Sequence, residues 1–297
     1  MERLSTDRRS FLKYALAAGA YIAATTGPAS RLALAARVNP FTADGEPARR
    51  LPQLNISRDR VIRTVVGLRP YRAEGFVLAP ERLGEKTVVH NYGHGGAGVT
   101  LSWGVATLAA EQARNVEDKN VAVLGCGVVG LSTARVLQRR GKSVTIYARE
   151  MPPETTSNVA GALWYPTSSY DSASVGADFT ARFKLACRLS NREFQTYVGP
   201  DYGVRWIETY TLRTEPEPAG HEPVGGAELY PATRHYTDAK RSFGFPYVRL
   251  FSTMLIEPHT YLRALVRDFH TAGGRKERSM IESDCCPLFV FELNCRP

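Results

Sequence analysis

The chain has 297 residues, long enough to bury a sizeable core as one large domain or two interleaved ones, and 43% hydrophobic with 23% charged residues excludes a disordered tail or a collagen-like rod. The net charge of +9 would suit nucleic acid, yet +3 of it sits in residues 1–35, where Arg3, Arg8, Arg9, Lys13 and Arg31 oppose Glu2 and Asp7. The remainder is scattered and forms no basic stripe interleaved with aromatics, which argues for a solvated surface that favours small anions and against a nucleic-acid partner.

Asp7-Arg8-Arg9-Ser10-Phe11-Leu12-Lys13 is close to the twin-arginine pattern, and Tyr14 to Thr26 is a short Ala-rich apolar run. That run is shorter than the roughly 20 apolar residues a membrane span needs. Ala33-Leu34-Ala35 supplies a small-residue cleavage point. Residues 1–35 therefore read as a signal peptide handled by the twin-arginine export machinery, and the mature protein is expected in the periplasm or secreted.

Two glycine-containing motifs come next, Gly67-Leu68-Arg69-Pro70-Tyr71-Arg72 and His90-Asn91-Tyr92-Gly93-His94-Gly95-Gly96-Ala97-Gly98-Val99-Thr100. A helix is predicted from near Gly98 through Leu108. Standing alone, Arg69 reads as one partner of a surface ion pair.

Asn120 to Leu124 is a short β-type run, followed by Gly125-Cys126-Gly127-Val128-Val129-Gly130. Val129, Leu131, Ala134, Val136 and Leu137 then recur at helical spacing, Gly141 closes the helix, and Ser143 to Ala148 forms a second strand ending beside Arg149 and Glu150. Together these make a complete dinucleotide-binding unit: Gly125 for the turn, Gly127 for approach to a pyrophosphate, Gly130 for close packing of helix on strand, and Glu150 for the ribose hydroxyls. Nicotinamide and flavin cofactors share this device, so the unit alone does not choose between them.

Thr155-Thr156-Ser157-Asn158-Val159-Ala160-Gly161-Ala162-Leu163-Trp164 follows, a run of hydroxyls and small residues. Further on, a helix is predicted near 178–197, strands near 204–212 and 247–256, and a helix opened by Glu257-Pro258-His259-Thr260 and stopped by Gly273-Gly274. The stretch 210–227 reads as a surface excursion. Arg275 to Met280 is too charged for a buried strand. Tyr165, Tyr170, Trp206 and Tyr210 could line a pocket, although core packing is the commoner use of such residues. Five cysteines show no metal-binding spacing, and the pairing of Cys285, Cys286 and Cys295 stays open.

The motifs around Arg69 and Gly98, with the glycine unit and the segment from Thr155, resemble the D-amino-acid oxidase family over about residues 50–274. The resemblance implies an α/β fold, a Rossmann-like FAD/NAD(P)-binding domain interleaved with an antiparallel-sheet substrate domain that is incomplete here. It implies FAD, with Arg69 on the substrate carboxylate. The cofactor would touch Gly125, Gly127, Val128, Val129, Gly130, Arg149, Glu150, Thr155, Thr156, Gly161, Ala162, Leu163, Gly95, Gly96, Gly98, Val99 and Thr100. The order departs from the family, whose closing motifs follow the nucleotide unit. Residues 36–118 therefore read as a circularly permuted C-terminal segment, and residues 119–297 as the FAD-binding unit with part of the substrate domain. Oxidative deamination of D-amino acids to 2-oxo acids, ammonia and hydrogen peroxide is the activity implied, with oxygen as acceptor and a homodimer allowed. The alternatives are an exported dehydrogenase that passes electrons to a membrane carrier, and an inactive FAD-binding remnant.

Overall fold

The computed structural model describes residues 55–278 and 288–291. The twin-arginine segment and Cys285, Cys286 and Cys295 lie outside them. Two compact units are distinguished. The smaller contains, among the described residues, 55–57, Leu212–Glu215 and Tyr236–Val248. It holds one short helix, Lys240–Phe243, closed where the amide of Gly244 donates to the carbonyl of Lys240.

The larger unit is organised on a six-stranded sheet. Strands β1 (Val77–Leu83) and β2 (Lys86–Tyr92) form an antiparallel hairpin that the sequence reading did not anticipate. Helix α1 (Gly98–Gln112) follows and runs four residues past the expected end, because Ala109 and Ala110 stay buried. Strand β3 (Asn120–Leu124), helix α2 (Val128–Arg139) and strand β4 (Ser143–Ala148) form the expected βαβ unit. Strand β3 is buried from Val121 onward, as a strand covered on both faces must be, whereas β4 alternates buried and partly open positions.

Helix α3 (Ala177–Gln195), strand β5 (Val204–Arg213) and strand β6 (Arg234–Tyr236) come next. The short helix of the smaller unit is α4, followed by strand β7 (Tyr247–Ile256) and helix α5 (Pro258–Thr271), which opens with proline in its first turn as expected. Strands β5, β7 and β6 form a second sheet in that order.

The main sheet runs β1-β2-β9-β3-β4-β8, where β8 is Arg275–Arg278 and β9 is Leu288–Phe291. Every pairing except the β1/β2 hairpin is parallel. The charged run at 275–278 was expected to fall outside any buried strand. It does form a strand, but at the sheet edge beside β4, with three of its four side chains exposed. Charge is tolerated there because an edge strand keeps its side chains in water, and it discourages pairing with other chains. Among the described residues no helix is long and apolar enough to cross a membrane.

Helix α1 crosses α3 at very short range. A Cβ built on Gly104 would lie 2.0 Å from the carbonyl oxygen of Ala186, and the Gly104 amide donates to Ser190 Oγ at 2.7 Å. Because the opposing atoms are main chain, nothing there can rotate aside. Gly104→Val is therefore expected to lower the unfolding free energy by about 3 kcal/mol, read from the denaturant midpoint. A midpoint equal to that of the unsubstituted protein would show that the helices stand further apart than described.

Candidate active site

The glycine loop is built as its spacing demands. Gly125 leaves β3 at φ +105°, a conformation L side chains rarely adopt, and its amide donates to Tyr147 O of β4. A Cβ on Gly130 would fall 2.1 Å from Gly125 O, so only glycine lets the first turn of α2 press against the loop. Gly127 is the N-cap, in extended backbone. The side chains of Val128 and Val129 lie within van der Waals range of the Gly98 position, so the starts of α1 and α2 lie close together.

A cleft of about 480 Å³ opens at the start of α1, and none of the expected contacts Gly125, Gly127, Val128, Val129 and Gly130 is among the residues that line it. The first-turn residues Gly98, Val99 and Thr100 of α1 line one side, Thr156, Ser157 and Val159 to Leu163 another, and Gly67 to Pro70 a third. A second cleft of about 390 Å³ shares Gly67 to Pro70, Thr156 and Val159 and is lined further by Arg149, Glu150 and Thr155. Its acid is at the end of β4, where the fingerprint puts the ribose contact, and Glu150 is ion-paired with Arg149 at 3.4 Å.

The hydroxyl run divides its labour. Thr155 is buried and donates to Asn158 Oδ1 at 2.8 Å, which closes the 3-10 turn Thr156–Val159 and leaves that hydroxyl proton no role toward a ligand. Ser157, absent from the expected contacts, instead accepts from the Val128 amide at 3.0 Å and lines the cleft, so its own proton can serve a phosphate at the start of α2. Thr100 Oγ1 donates back to Ala97 O at 3.0 Å, so Thr100 offers its amide and not its hydroxyl. Ala162 adopts φ +49° and its carbonyl accepts from the Ile256 amide, which fastens the small-residue segment to β7.

Arg69 stands in both clefts. Its Nε donates to Gly95 O at 2.7 Å, and Nη2 donates to Thr167 O and Ser168 O, each at 3.1 Å. Gly95 and Gly96 thus act on Arg69: Gly95 through its carbonyl, and Gly96 because a Cβ at φ +86° would sit 2.2 Å from Arg69 Nε. Gly96 lines the cleft and Gly95 does not. Tyr165, for which the sequence leaves both core packing and pocket lining open, lines the cleft. Nothing in its local sequence distinguishes it from a packed aromatic.

His94 lines the same cleft, is 2% exposed and stacks on Phe76 at 5.5 Å. Its Nε2 lies 3.2 Å from Asn91 Oδ1, and Asn91 Nδ2 faces Thr133 Oγ1 at 3.5 Å, a network in which His94 Nε2 carries the proton. Burial lowers its pKa to about 4. Between pH 6.5 and 4 the unfolded chain binds a proton here that the folded chain refuses. Stability from this site is therefore full above pH 6.5 and falls by up to about 3 kcal/mol as pH drops to 4. His94→Gln should flatten that limb of a Tm-against-pH curve, and an unchanged slope would assign the loss to other groups.

The two clefts fit a dinucleotide. Free first-turn amides of α1 and a serine hydroxyl at the start of α2 supply donors, and an acid stands at the end of β4. A Cβ on Gly161 would meet nothing within 4 Å, so small residues there keep the cleft open for a flat ring. Fold and site together have the features of a dinucleotide-binding protein. Residues 45–112 and 120–278 match the family model described as FAD dependent oxidoreductase, and the chain belongs to that family, whose cofactor is FAD. The match continues past residue 274, through β8.

Two curated relatives are D-amino-acid oxidases. That of Streptomyces coelicolor is 53% identical over 162 residues, and that of Rubrobacter xylanophilus 34% identical over 170; each alignment covers 54% of this chain and 46% of the relative. The chain spans about half the length of the curated relatives it matches. Among solved structures, glycine oxidase from Bacillus cereus aligns with a TM-score of 0.36 at 15% identity, covering 54% of this chain and 46% of that one.

Proposed function

We propose that the protein oxidises D-amino acids, converting the substrate, water and oxygen to a 2-oxo acid, ammonia and hydrogen peroxide. The observation that carries this reading is Arg69, a fixed cation in a cleft that also holds the start of α1 and the small-residue segment. Bound FAD supplies a two-electron acceptor for the α-carbon of the substrate.

The protein's own part is binding and orientation. Arg69 takes the carboxylate and so fixes which face of the α-carbon is presented. The first-turn amides of α1 stabilise negative charge in the cleft. His94 stays neutral at physiological pH and therefore adds no second cation to compete with Arg69. No side chain needs to remove a proton from carbon, because alignment and electrostatics carry the step.

The reading keeps residues 1–35 as a twin-arginine signal, with export of the mature protein, and residues 36–118 as a permuted segment ahead of the nucleotide unit. The test is anaerobic titration of the purified yellow protein with D-alanine and a panel of other D-amino acids. Bleaching is expected. A pigment that stays oxidised with every member supports the remnant reading. After bleaching, peroxide release on admitting air supports the oxidase, and dye reduction without peroxide supports the dehydrogenase.

A further inference from the structure

We propose that residues 61–68 form an unpaired strand edge that receives an extended, acidic and apolar peptide segment of another protein. The inference concerns a surface outside the chemistry proposed above and does not depend on D-amino acids being the substrate.

After the 3-10 turn Arg58–Arg60 the chain runs from Val61 to Arg72 without a helix, strand, turn or bend, and every residue from 61 to 69 is exposed. The Val61 amide donates to Arg58 O at 3.2 Å, and the Tyr71 amide donates to Arg69 O at 2.8 Å. Between those two bonds, among the described residues, no main-chain group of Ile62 to Leu68 is hydrogen-bonded within the protein. The whole run therefore turns its donors and acceptors to water, the condition of a sheet edge before a strand is added to it.

The side chains suit a strand as well. Val61, Ile62, Thr64, Val65 and Val66 are β-branched, which favours a pleated strand over a helix. Exposure alternates with a period of two: Ile62, Val66 and Leu68 are 98, 81 and 64% exposed, against 61 and 52% for Val61 and Val65. Large apolar side chains scattered singly on a surface need no explanation, but a contiguous set marks an interaction site.

Charge selects the partner. Residues 58–72 carry Arg58, Arg60, Arg63, Arg69 and Arg72 against Asp59 alone. Arg69 is held by main-chain carbonyls and Arg72 is paired with Glu74 at 3.6 Å, which leaves Arg58 and Arg63 for a partner. A second copy of the chain would bring two such arginine sets together, and like charge opposes that. An anionic lipid surface matches the charge but cannot pair bare amides and carbonyls as a strand does. An extended segment with alternating apolar residues and Asp or Glu beside them meets both demands, the main chain giving affinity and the side chains selectivity.

The test uses the FAD-loaded full chain and a fluorescein-labelled peptide, Asp-Val-Thr-Val-Glu-Val-Thr-Val-Asp, followed by anisotropy. Saturable binding is expected, weaker in added salt and about tenfold or more weaker for the same peptide with Lys in place of Asp and Glu. Thr64→Pro/Val65→Pro removes a donor from each edge of the run. With no bond to lose in the free protein, it should leave flavin content and Tm unchanged while weakening the peptide about tenfold or more. Arg58→Glu/Arg63→Glu should weaken the peptide likewise. Absence of saturable binding, equal binding of the lysine peptide, or undiminished binding by the proline pair overturns the inference. So does a lowered Tm in that pair, which would show the run already bonded within the protein. Sedimentation as a dimer that the proline pair dissociates would assign the run to a second copy. Flotation with phosphatidylglycerol vesicles that the proline pair does not alter, with no peptide bound, would assign it to a membrane; either result overturns the inference. Bleaching by D-amino acids is measured separately, so these failures leave the functional reading standing.

Discussion

Arg69→Ala is expected to raise the KM for D-amino acids by about a hundredfold or more, with FAD still bound. Removing one partner of a charge-assisted pair in a partly enclosed cleft costs about 3 kcal/mol, which corresponds to that factor. The structure adds a complication that the resemblance alone does not show, since Arg69 also ties Gly95 to Thr167 and Ser168. Thr167 and Ser168 are exposed, so water can replace the guanidinium at their carbonyls once it is gone, and that loop should hold; Gly95 is buried and loses its partner. Arg69→Lys separates the roles, because it keeps the charge but cannot reach all three carbonyls together with a substrate. A KM near that of the unsubstituted protein in the alanine variant, or flavin lost in parallel with activity, would make Arg69 a structural tie.

Gly130→Val is expected to yield protein without flavin and with a depressed Tm. Its Cβ would lie 2.1 Å from Gly125 O, and neither atom belongs to a flexible side chain, so α2 would have to lift off the loop. Overpacking against main chain costs about 3 kcal/mol. Gly127→Val is the informative companion. Gly127 sits at φ −73° and ψ −177°, which any residue can adopt, so valine there should leave Tm near normal while blocking approach of a pyrophosphate. Visible absorbance per mole of protein and a thermal melt on both variants separate loss of cofactor from loss of fold. Full flavin content in both would show that the loop does not hold the nucleotide.

The βαβ unit was legible because two periodicities and three glycines agree on one structure: β3 and β4 are short apolar runs, and α2 carries its buried residues at helical spacing. What escaped had weaker local signals. Strand β8 reads as charged because it lies at an edge, and β9 is four residues long, so no period can be counted in it. The β1/β2 hairpin lies between two motifs whose glycines claim attention for chemistry. At the site, Arg69 and the α1 start were legible from motif context, whereas Ser157 and Tyr165 were not. Their placement depends on partners far away in sequence: Val128 for the serine and Arg249 for the tyrosine.

The placement of β9 has a consequence for biosynthesis. It lies between β2 and β3, so the hairpin side and the nucleotide side of the main sheet share no direct strand pairing without it. A nascent polypeptide emerging from the ribosome can assemble the βαβ portion from neighbouring residues, but the middle seam must wait for residues 288–291. Until then two apolar flanks, at Val88–Val89 and at Val121–Leu124, stay without their partner strand, the period in which a chaperone has most to shield.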